Sequence, residues 1–311
     1  MNEKSGTQKS LLSYTGKGNH KNRFIDIKRE RNKRAKYIVD VPKPFLKWAG
    51  GKRQLISQID EYLPKTFNKY IEPFVGGGAI FFYLLPKQAI LIDINKDLIN
   101  SYNIIKNEVS ALIELLKKHK NESEYFHQIR NIDRNPVVYN KWSDIEKASR
   151  NIFMNRCCFN GLYRVNSKGQ FNVPFGKYKN PNFCDVENLK AVNKALKNVV
   201  LVSASFEKCL DFAEKGDFIY FDPPYVPISH SSNFTSYTTG NFSNNDQYRL
   251  FEVFKTLDNR GCKVMLSNSY SDFILKIYKN YKINVLQAMR VINSDGTKRG
   301  KIREVLITNA Y

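Results

Sequence analysis

A chain of 311 residues, 42 % of them hydrophobic, can bury a full-sized core in one large domain or two ordinary ones. Its 50 Lys and Arg against 29 Asp and Glu leave a formal charge of +21, an excess that asks for a polyanion. The longest apolar run, Ala79 to Leu85, falls far short of the ~20 residues of a membrane span, no apolar signal-peptide core follows Met1, and five cysteines without CxxC or Cys/His spacing fit a reduced cytoplasmic compartment without zinc.

Residues 1–40 are rich in Lys, Arg, Asn, Ser and Gly without apolar periodicity, which predicts a basic tail, either an unselected extension or a phosphate-touching arm. From Pro44 strand and helix signals alternate. Tyr70 to Val75 reads as an apolar strand halted at Gly76-Gly77-Gly78, Ala79 to Leu85 as a helix, and Ala89 to Asp93 as a second buried strand ending in a carboxylate. Between Leu98 and Val192 charged helical patterns take over, among them Val109 to Lys117 and Asp144 to Arg156. A hairpin signal follows at Asn166-Ser167-Lys168-Gly169, whose flanks Leu162 to Val165 and Gln170 to Val173 read as two short strands. The strand pattern resumes at Asp217 to Phe221, Cys262 to Leu266 and Val305 to Thr308. Short apolar strands separated by helices imply an α/β fold with a largely parallel, doubly wound sheet. The expected division is the tail 1–40, a sheet domain of residues 41–97 and 193–311, and an inserted helical and β-hairpin recognition domain of residues 98–192.

The Gly76-Gly77-Gly78 turn lets backbone come close to a ligand and sets a helix N-terminus over it. Packing alone would also explain such a turn, but Asp93, placed to accept from two ribose hydroxyls, tips the reading towards an adenosine-containing cofactor. Asp222-Pro223-Pro224-Tyr225, after a buried strand, says more, because two prolines stiffen the turn and leave carbonyls outside the sheet. An exocyclic amine such as that of adenine is a poor nucleophile, since its lone pair is delocalised into the ring. Hydrogen bonds from its two N–H groups to the Asp222 carboxylate and the Pro223 carbonyl would favour a pyramidal nitrogen whose lone pair can attack a sulfonium methyl in line. Tyr225 is placed to stack on the base. The polar stretch Ser229 to Asn245 reads either as a closing loop or as a plain connection, and Ser294 to Lys301, with Lys298, Arg299 and Lys301, as a phosphate clamp. His20, His119, His127 and His230 are scattered, so no metal is expected.

The order Phe45-Leu46-Lys47-Trp48-Ala49-Gly50-Gly51-Lys52, Glu72-Pro73-Phe74-Val75-Gly76-Gly77-Gly78-Ala79, Asp93-Ile94-Asn95 and Asp222-Pro223-Pro224-Tyr225 resembles the Dam-type DNA adenine methyltransferases over roughly Pro44 to Asn309. The segments Asn160-Gly161-Leu162-Tyr163-Arg164-Val165-Asn166 and Phe171-Asn172-Val173-Pro174-Phe175-Gly176 bring it nearest to GATC-modifying members, including those of DpnII-type restriction systems. The resemblance implies a Rossmann-like methyltransferase sheet and S-adenosyl-L-methionine as cofactor. It implies that Trp48, Lys52, Asp93 and Asp222 bind that cofactor, together with Phe74, Gly76 and Gly78 of the glycine-rich motif, and that Asp222 to Tyr225 form the catalytic turn. Trp48 would suit a sulfonium as a π-rich wall, and Lys52 would neutralise the methionine carboxylate. Phe206 stands where the family has an aromatic flanking the adenine, although the acidic residue expected before it is Ser205 here.

For target reading, the resemblance assigns Arg164 and Lys47 to guanines, Leu162 to a thymine methyl, and Asn160 and Phe159 to the strand opposite a flipped base and the gap it leaves. Without the family, a hairpin Arg is more often a phosphate contact. The expected function is therefore methylation of adenine N6 in double-stranded DNA, with an amino-methyltransferase acting on cytosine N4 or RNA, or an inactive DNA-binding relative, as alternatives. A monomer in the cytoplasm of a bacterium or encoded by a phage is expected, without membrane or metal, and paired functionally but not stably with a restriction endonuclease or acting as an orphan enzyme.

Overall fold

The computed structural model describes residues 41–226, 242–289 and 301–311. The basic tail, most of the stretch Ser229 to Asn245, Lys298, Arg299 and the side chain of Lys301 lie outside the described residues.

The described strands are β1 (Tyr70–Glu72), β2 (Ala89–Asp93), β3 (Val199–Ser203), β4 (Phe218–Phe221), β5 (Lys263–Ser269), β6 (Lys282–Met289) and β7 (Lys301–Thr308). They form a seven-stranded sheet in the order β3-β2-β1-β4-β5-β7-β6. Strands β3 to β5 across that order pair in parallel, and β7 inserts antiparallel between β5 and β6. The helices are α1 (Ile56–Ile59), α2 (Ala79–Leu84), α3 (Lys96–Leu116), α4 (Ser123–Asn131), α5 (Pro136–Tyr139), α6 (Asp144–Cys157), α7 (Val186–Ala195), α8 (Asn244–Asn259) and α9 (Asp272–Ile277).

Side-chain alternation along the strands divides the core in two. Tyr70, Leu91, Phe218, Tyr220 and Met265 pack into one face, and Ile71, Ile90, Ile92, Ile219, Phe221, Val264 and Leu266 into the other. Because helices cover both faces, the central strands carry near-continuous apolar runs, which is why they were readable, with polar residues such as Glu72 and Asn268 at their carboxyl ends. The chain is the α/β, doubly wound type that those runs predict. Strand β1 stops at Glu72 rather than Val75, since Pro73 has no N–H to continue the ladder. Strands β3 and β6 were not anticipated. Both lie at sheet edges, where Val200 and Val285 are exposed and polar residues such as Ser203, Lys282, Asn284 and Gln287 interrupt the apolar run.

Helix α3 begins much earlier than its predicted core, at Lys96, because Asn95 caps it by accepting from Leu98 N at 3.0 Å. The hairpin differs more. Its turn is present, with Asn166 N donating to Gln170 O at 2.9 Å, but its flanks are not regular strands and make only isolated bridges, Val165 with Phe171 and Cys158 with Phe175. A side-chain network replaces the ladder. Buried Asp133, after α4, accepts from Phe171 N at 2.9 Å and Arg150 Nη2 at 2.8 Å and also pairs with Arg134. Arg150 on α6 donates further to Ile129 O at 3.0 Å and Arg130 O at 2.8 Å, so the buried charge is compensated. Beneath the hairpin, Phe126, Phe153, Met154, Tyr163, Phe171 and Val173 form a third apolar cluster.

The strand order sets the carboxyl ends of β2, β1 and β4 side by side. Strand β1 is flanked by strands reached in opposite directions, the arrangement that opens a crevice above a parallel sheet.

Candidate active site

Four stretches meet at that crevice. After β1 the chain turns through Gly76, at φ +47°, and Gly78, at φ +69°, before α2 starts. A Cβ on Gly76 would come within 2.7 Å of Trp48 Cδ1, so glycine is needed both for the left-handed backbone and for the close approach of the indole. Asp93, at the end of β2, accepts from Gly76 N at 3.1 Å and from Asn95 N at 2.9 Å. Those two bonds fix the carboxylate over the glycine-rich turn while each oxygen keeps a lone pair for a further donor. Burial pushes the Asp93 carboxyl up to about 6 against the pull of these N–H groups. Ile94 beside it is 60 % exposed, an apolar side chain presented at the crevice rather than hidden in the core.

Asp222 follows β4. Lys52 sends its ammonium 2.7 Å from Asp222 Oδ1 and 2.6 Å from Gly50 O, and that nitrogen stands 4.7 Å from the centre of the Tyr225 ring. The sequence reading gave Lys52 a cofactor carboxylate as partner; in the structure its partner is Asp222. Burial raises the Asp222 carboxyl to about 6, Lys52 opposes that rise, and Glu304 adds to it. The Tyr225 hydroxyl donates to Glu304 Oε2 at 2.7 Å, and buried Gln247 on α8 donates to Pro224 O at 3.1 Å. Gln247 is itself held by Asn268 of β5 at 3.1 Å. The Asp222 to Tyr225 turn is thus tethered directly from helix α8 and strand β7, and through Gln247 from β5.

On one side of the crevice Phe74 stacks on Phe206, centroids 5.3 Å apart, and Phe242 meets both edge-on. Ser205, standing where an acidic residue was expected, bonds to Glu207, which in turn pairs with Arg249. Beneath the floor Glu72 is buried, with no hydrogen-bond partner for its Oε2 among the described residues. Burial drives its carboxyl pKa strongly up, the nearby Tyr70 hydroxyl works against this, and Asp222 and Asp93 add to the rise.

The expected reading residues lie around the hairpin. Phe159 is 52 % exposed, and Asn160 beside it adopts φ +56°. Arg164 is folded across the hairpin, with Nε donating to Asn172 Oδ1 at 2.7 Å and Nη2 to Asn172 O at 3.2 Å. Leu162 is partly buried against the cluster beneath. Lys47 joins this group because buried Asn155 clasps its backbone N and O, each at 2.8 Å, and also donates to Gly161 O at 3.1 Å. Lys298 and Arg299 lie outside the described residues.

Residues that the sequence reading left out are Glu72, Ile94, Asn155, Tyr163, Gln247 and Glu304. An acidic residue inside a buried strand motif was a usable signal for Glu72; the others depend on partners distant in sequence. Among the described residues no group of His, Cys, Asp and Glu could hold a metal ion, and no helix is long and apolar enough to cross a membrane.

A family model described as D12 class N6 adenine-specific DNA methyltransferase matches residues 48–292. The chain is 47 % identical over 271 residues to the Type II methyltransferase M1.LlaDCHI of Lactococcus lactis subsp. cremoris, covering 86 % of this chain and 95 % of that one. It is 46 % identical over 288 residues to the Type II methyltransferase M.MjaIII of Methanocaldococcus jannaschii, covering 86 % and 99 %. It is 38 % identical over 268 residues to a DNA adenine methylase of Vibrio cholerae, covering 84 % and 94 %.

Proposed function

This chain belongs to the D12 class N6 adenine-specific DNA methyltransferases, and from that premise we propose that it takes its methyl group from S-adenosylmethionine and places it on an adenine flipped out of double-stranded GATC. The observation that carries this is the meeting of Asp93, the Gly76 turn, Trp48 and Asp222 at the carboxyl ends of three adjacent strands.

The residues fit such a donor. Asp93 offers paired acceptors to ribose hydroxyls, Ile94 and Phe206 offer apolar walls, and the buried Glu72 oxygen without a partner among the described residues is a polar group left for a ligand. Bound there, the donor supplies a methyl group on a positively charged sulfur. Everything else falls to the chain. Asp222 and the Pro223 carbonyl accept the two amine hydrogens of adenine and draw its nitrogen out of conjugation with the ring. Tyr225 supports the base by stacking, its ring fixed at the hydroxyl by Glu304. With the electron pair of the broken C–S bond left on the sulfur, the methylated amine would lose one proton along its hydrogen bond to the Asp222 carboxylate.

Flipping costs a few kcal/mol, offset by phosphate contacts of a strongly basic surface and by a side chain filling the gap. The exposure of Phe159 and the left-handed backbone of Asn160 support that filling role, and in this reading Arg164, on release from Asn172, reads bases with Leu162 and Lys47. In this reading residues 41–97 and 193–311 carry methyl transfer and residues 98–192 carry recognition. Relatives named Type II methyltransferases support a role in restriction–modification, beside an endonuclease of the same target.

Transfer of labelled methyl from S-adenosylmethionine to a GATC duplex, to one with its adenine replaced, and to a scrambled duplex tests the whole reading. Label on GATC alone is expected, with a loss on the order of 100-fold or more for Asp222→Ala. Equal label on all three duplexes would refute the target, and no label the donor or substrate.

A further inference from the structure

Tyr163 is buried on the inner side of the hairpin, 7 % exposed, between two residues assigned to base reading, Leu162 and Arg164. Its ring stacks on Trp48, centroids 5.3 Å apart at 27°. Trp48 is the same indole that lies against Gly76 at the donor turn. The Tyr163 hydroxyl donates to Asp97 Oδ2 at 3.1 Å, in the first turn of α3, and that turn is joined to the donor carboxylate through the bond from Asn95 N to Asp93 Oδ1 at 2.9 Å. One buried ring is therefore fastened at its face and at its tip to the elements that hold the donor, while the backbone carrying it belongs to the reading segment.

We propose that Tyr163 is a positioning residue that couples target recognition to donor binding, through the Trp48–Tyr163 stack and the Tyr163–Asp97 hydrogen bond. It rests on the assignment of the hairpin to DNA and of Trp48 to the donor. When Leu162 and Arg164 engage bases, the backbone at position 163 is held, and the tyrosine ring with it. The same ring must be still for Trp48 to form a fixed wall. Ordering of the stack is completed by whichever ligand arrives first, so the second binds with less ordering left to do. Reciprocity then requires that duplex tighten the donor by the factor by which donor tightens duplex. A tyrosine serving only as filler for the cluster of Phe126, Phe153 and Phe171 would change the melting temperature and leave this factor alone.

The test is calorimetric titration of the full chain with S-adenosylhomocysteine, with and without saturating GATC duplex, and with the order reversed. The wild type is expected to show a factor of at least about fivefold, equal in both orders. Tyr163→Phe keeps the stack and deletes the bond to Asp97, and is expected to lower the factor by about half or more. Tyr163→Leu removes both and is expected to bring it to about 1 while each ligand still binds singly. A wild-type factor of about 1, or an undiminished factor in Tyr163→Leu, would overturn the proposal; if that variant does not fold, an undiminished factor in Tyr163→Phe does so. Failure of the wild type to bind S-adenosylhomocysteine or duplex at all would instead overturn the site assignments beneath it.

Discussion

The Lys52 ammonium and the Asp222 carboxylate are 2.7 Å apart, and the ammonium is 3 % exposed. A buried cation at that distance favours the ionised form of Asp222, while burial itself favours the protonated form and wins, raising the carboxyl to about 6. Only the ionised carboxylate can accept an amine hydrogen with both oxygens free of protons. Methyl transfer should therefore be full above about pH 7 and kcat/KM should fall about tenfold per unit below about pH 6, more steeply if Asp93, also near 6, must be ionised for donor binding. Lys52→Gln deletes an influence that lowers the pKa, so the acid limb should move to higher pH. A limb that stays in place in this variant would mean that Lys52 does not govern Asp222.

Tyr225 and Glu304 are joined by a 2.7 Å hydrogen bond between the Asp222 to Tyr225 turn and strand β7. If Glu304 acts by holding the Tyr225 ring, Tyr225→Phe and Glu304→Ala should each lower kcat severalfold with little change in KM for the donor. The double variant should lose no more than the worse single one, because both delete the same bond. Additive losses in steady-state kinetics would show that the two residues act separately.

Gly76→Ala places a methyl group within 2.7 Å of Trp48 Cδ1 on backbone at φ +47°. The backbone alone should cost about 1–2 kcal/mol. Displacement of the indole should weaken donor binding beyond that. Thermal unfolding and donor titration would separate the two effects, and unchanged donor affinity would remove Trp48 from the donor wall.

Asp133→Ala leaves Arg150 buried without its carboxylate and Phe171 N without its acceptor. A loss of about 3–5 kcal/mol in denaturant unfolding is expected. Because Asp133 carries the hairpin, target discrimination should fall further than methyl transfer to the cognate duplex. Asp133→Asn, which can still accept from Phe171 N, should recover part of the discrimination.

The central strands, the Gly76 turn, Asp93 and the Asp222 to Tyr225 turn were legible because each is written within a few consecutive residues. The hairpin was legible as a turn but not as a structure. Asn166 and Gly169 encode the reversal, whereas what holds the flanks is Asp133, nearly forty positions before Phe171 (|i−j| = 38). Contacts such as Asn155 with Lys47, 108 positions apart, or Tyr225 with Glu304, 79 apart, have no local signature. Glu304 in particular follows Arg303 at the charged start of β7 and reads as an ordinary solvent-facing charge. Arg164 was recognisable as a hairpin arginine, but its tie to Asn172 across the turn was not, since it depends on how two irregular flanks face each other.

The long excursion of the chain between Asp93 and Val199 leaves the sheet from β2 and returns in β3, which are neighbours at one border. Strands β1, β4 and β5, on the far side of β2, owe none of their mutual pairing to it. A segment grafted, lengthened or exchanged at this border would leave the ladder under Asp222 intact, provided that Asn155 and Tyr163 still find Lys47 and Trp48. On the proposed division of roles, new target sequences would be acquired by inheritance of a different insertion on an unaltered chemical floor.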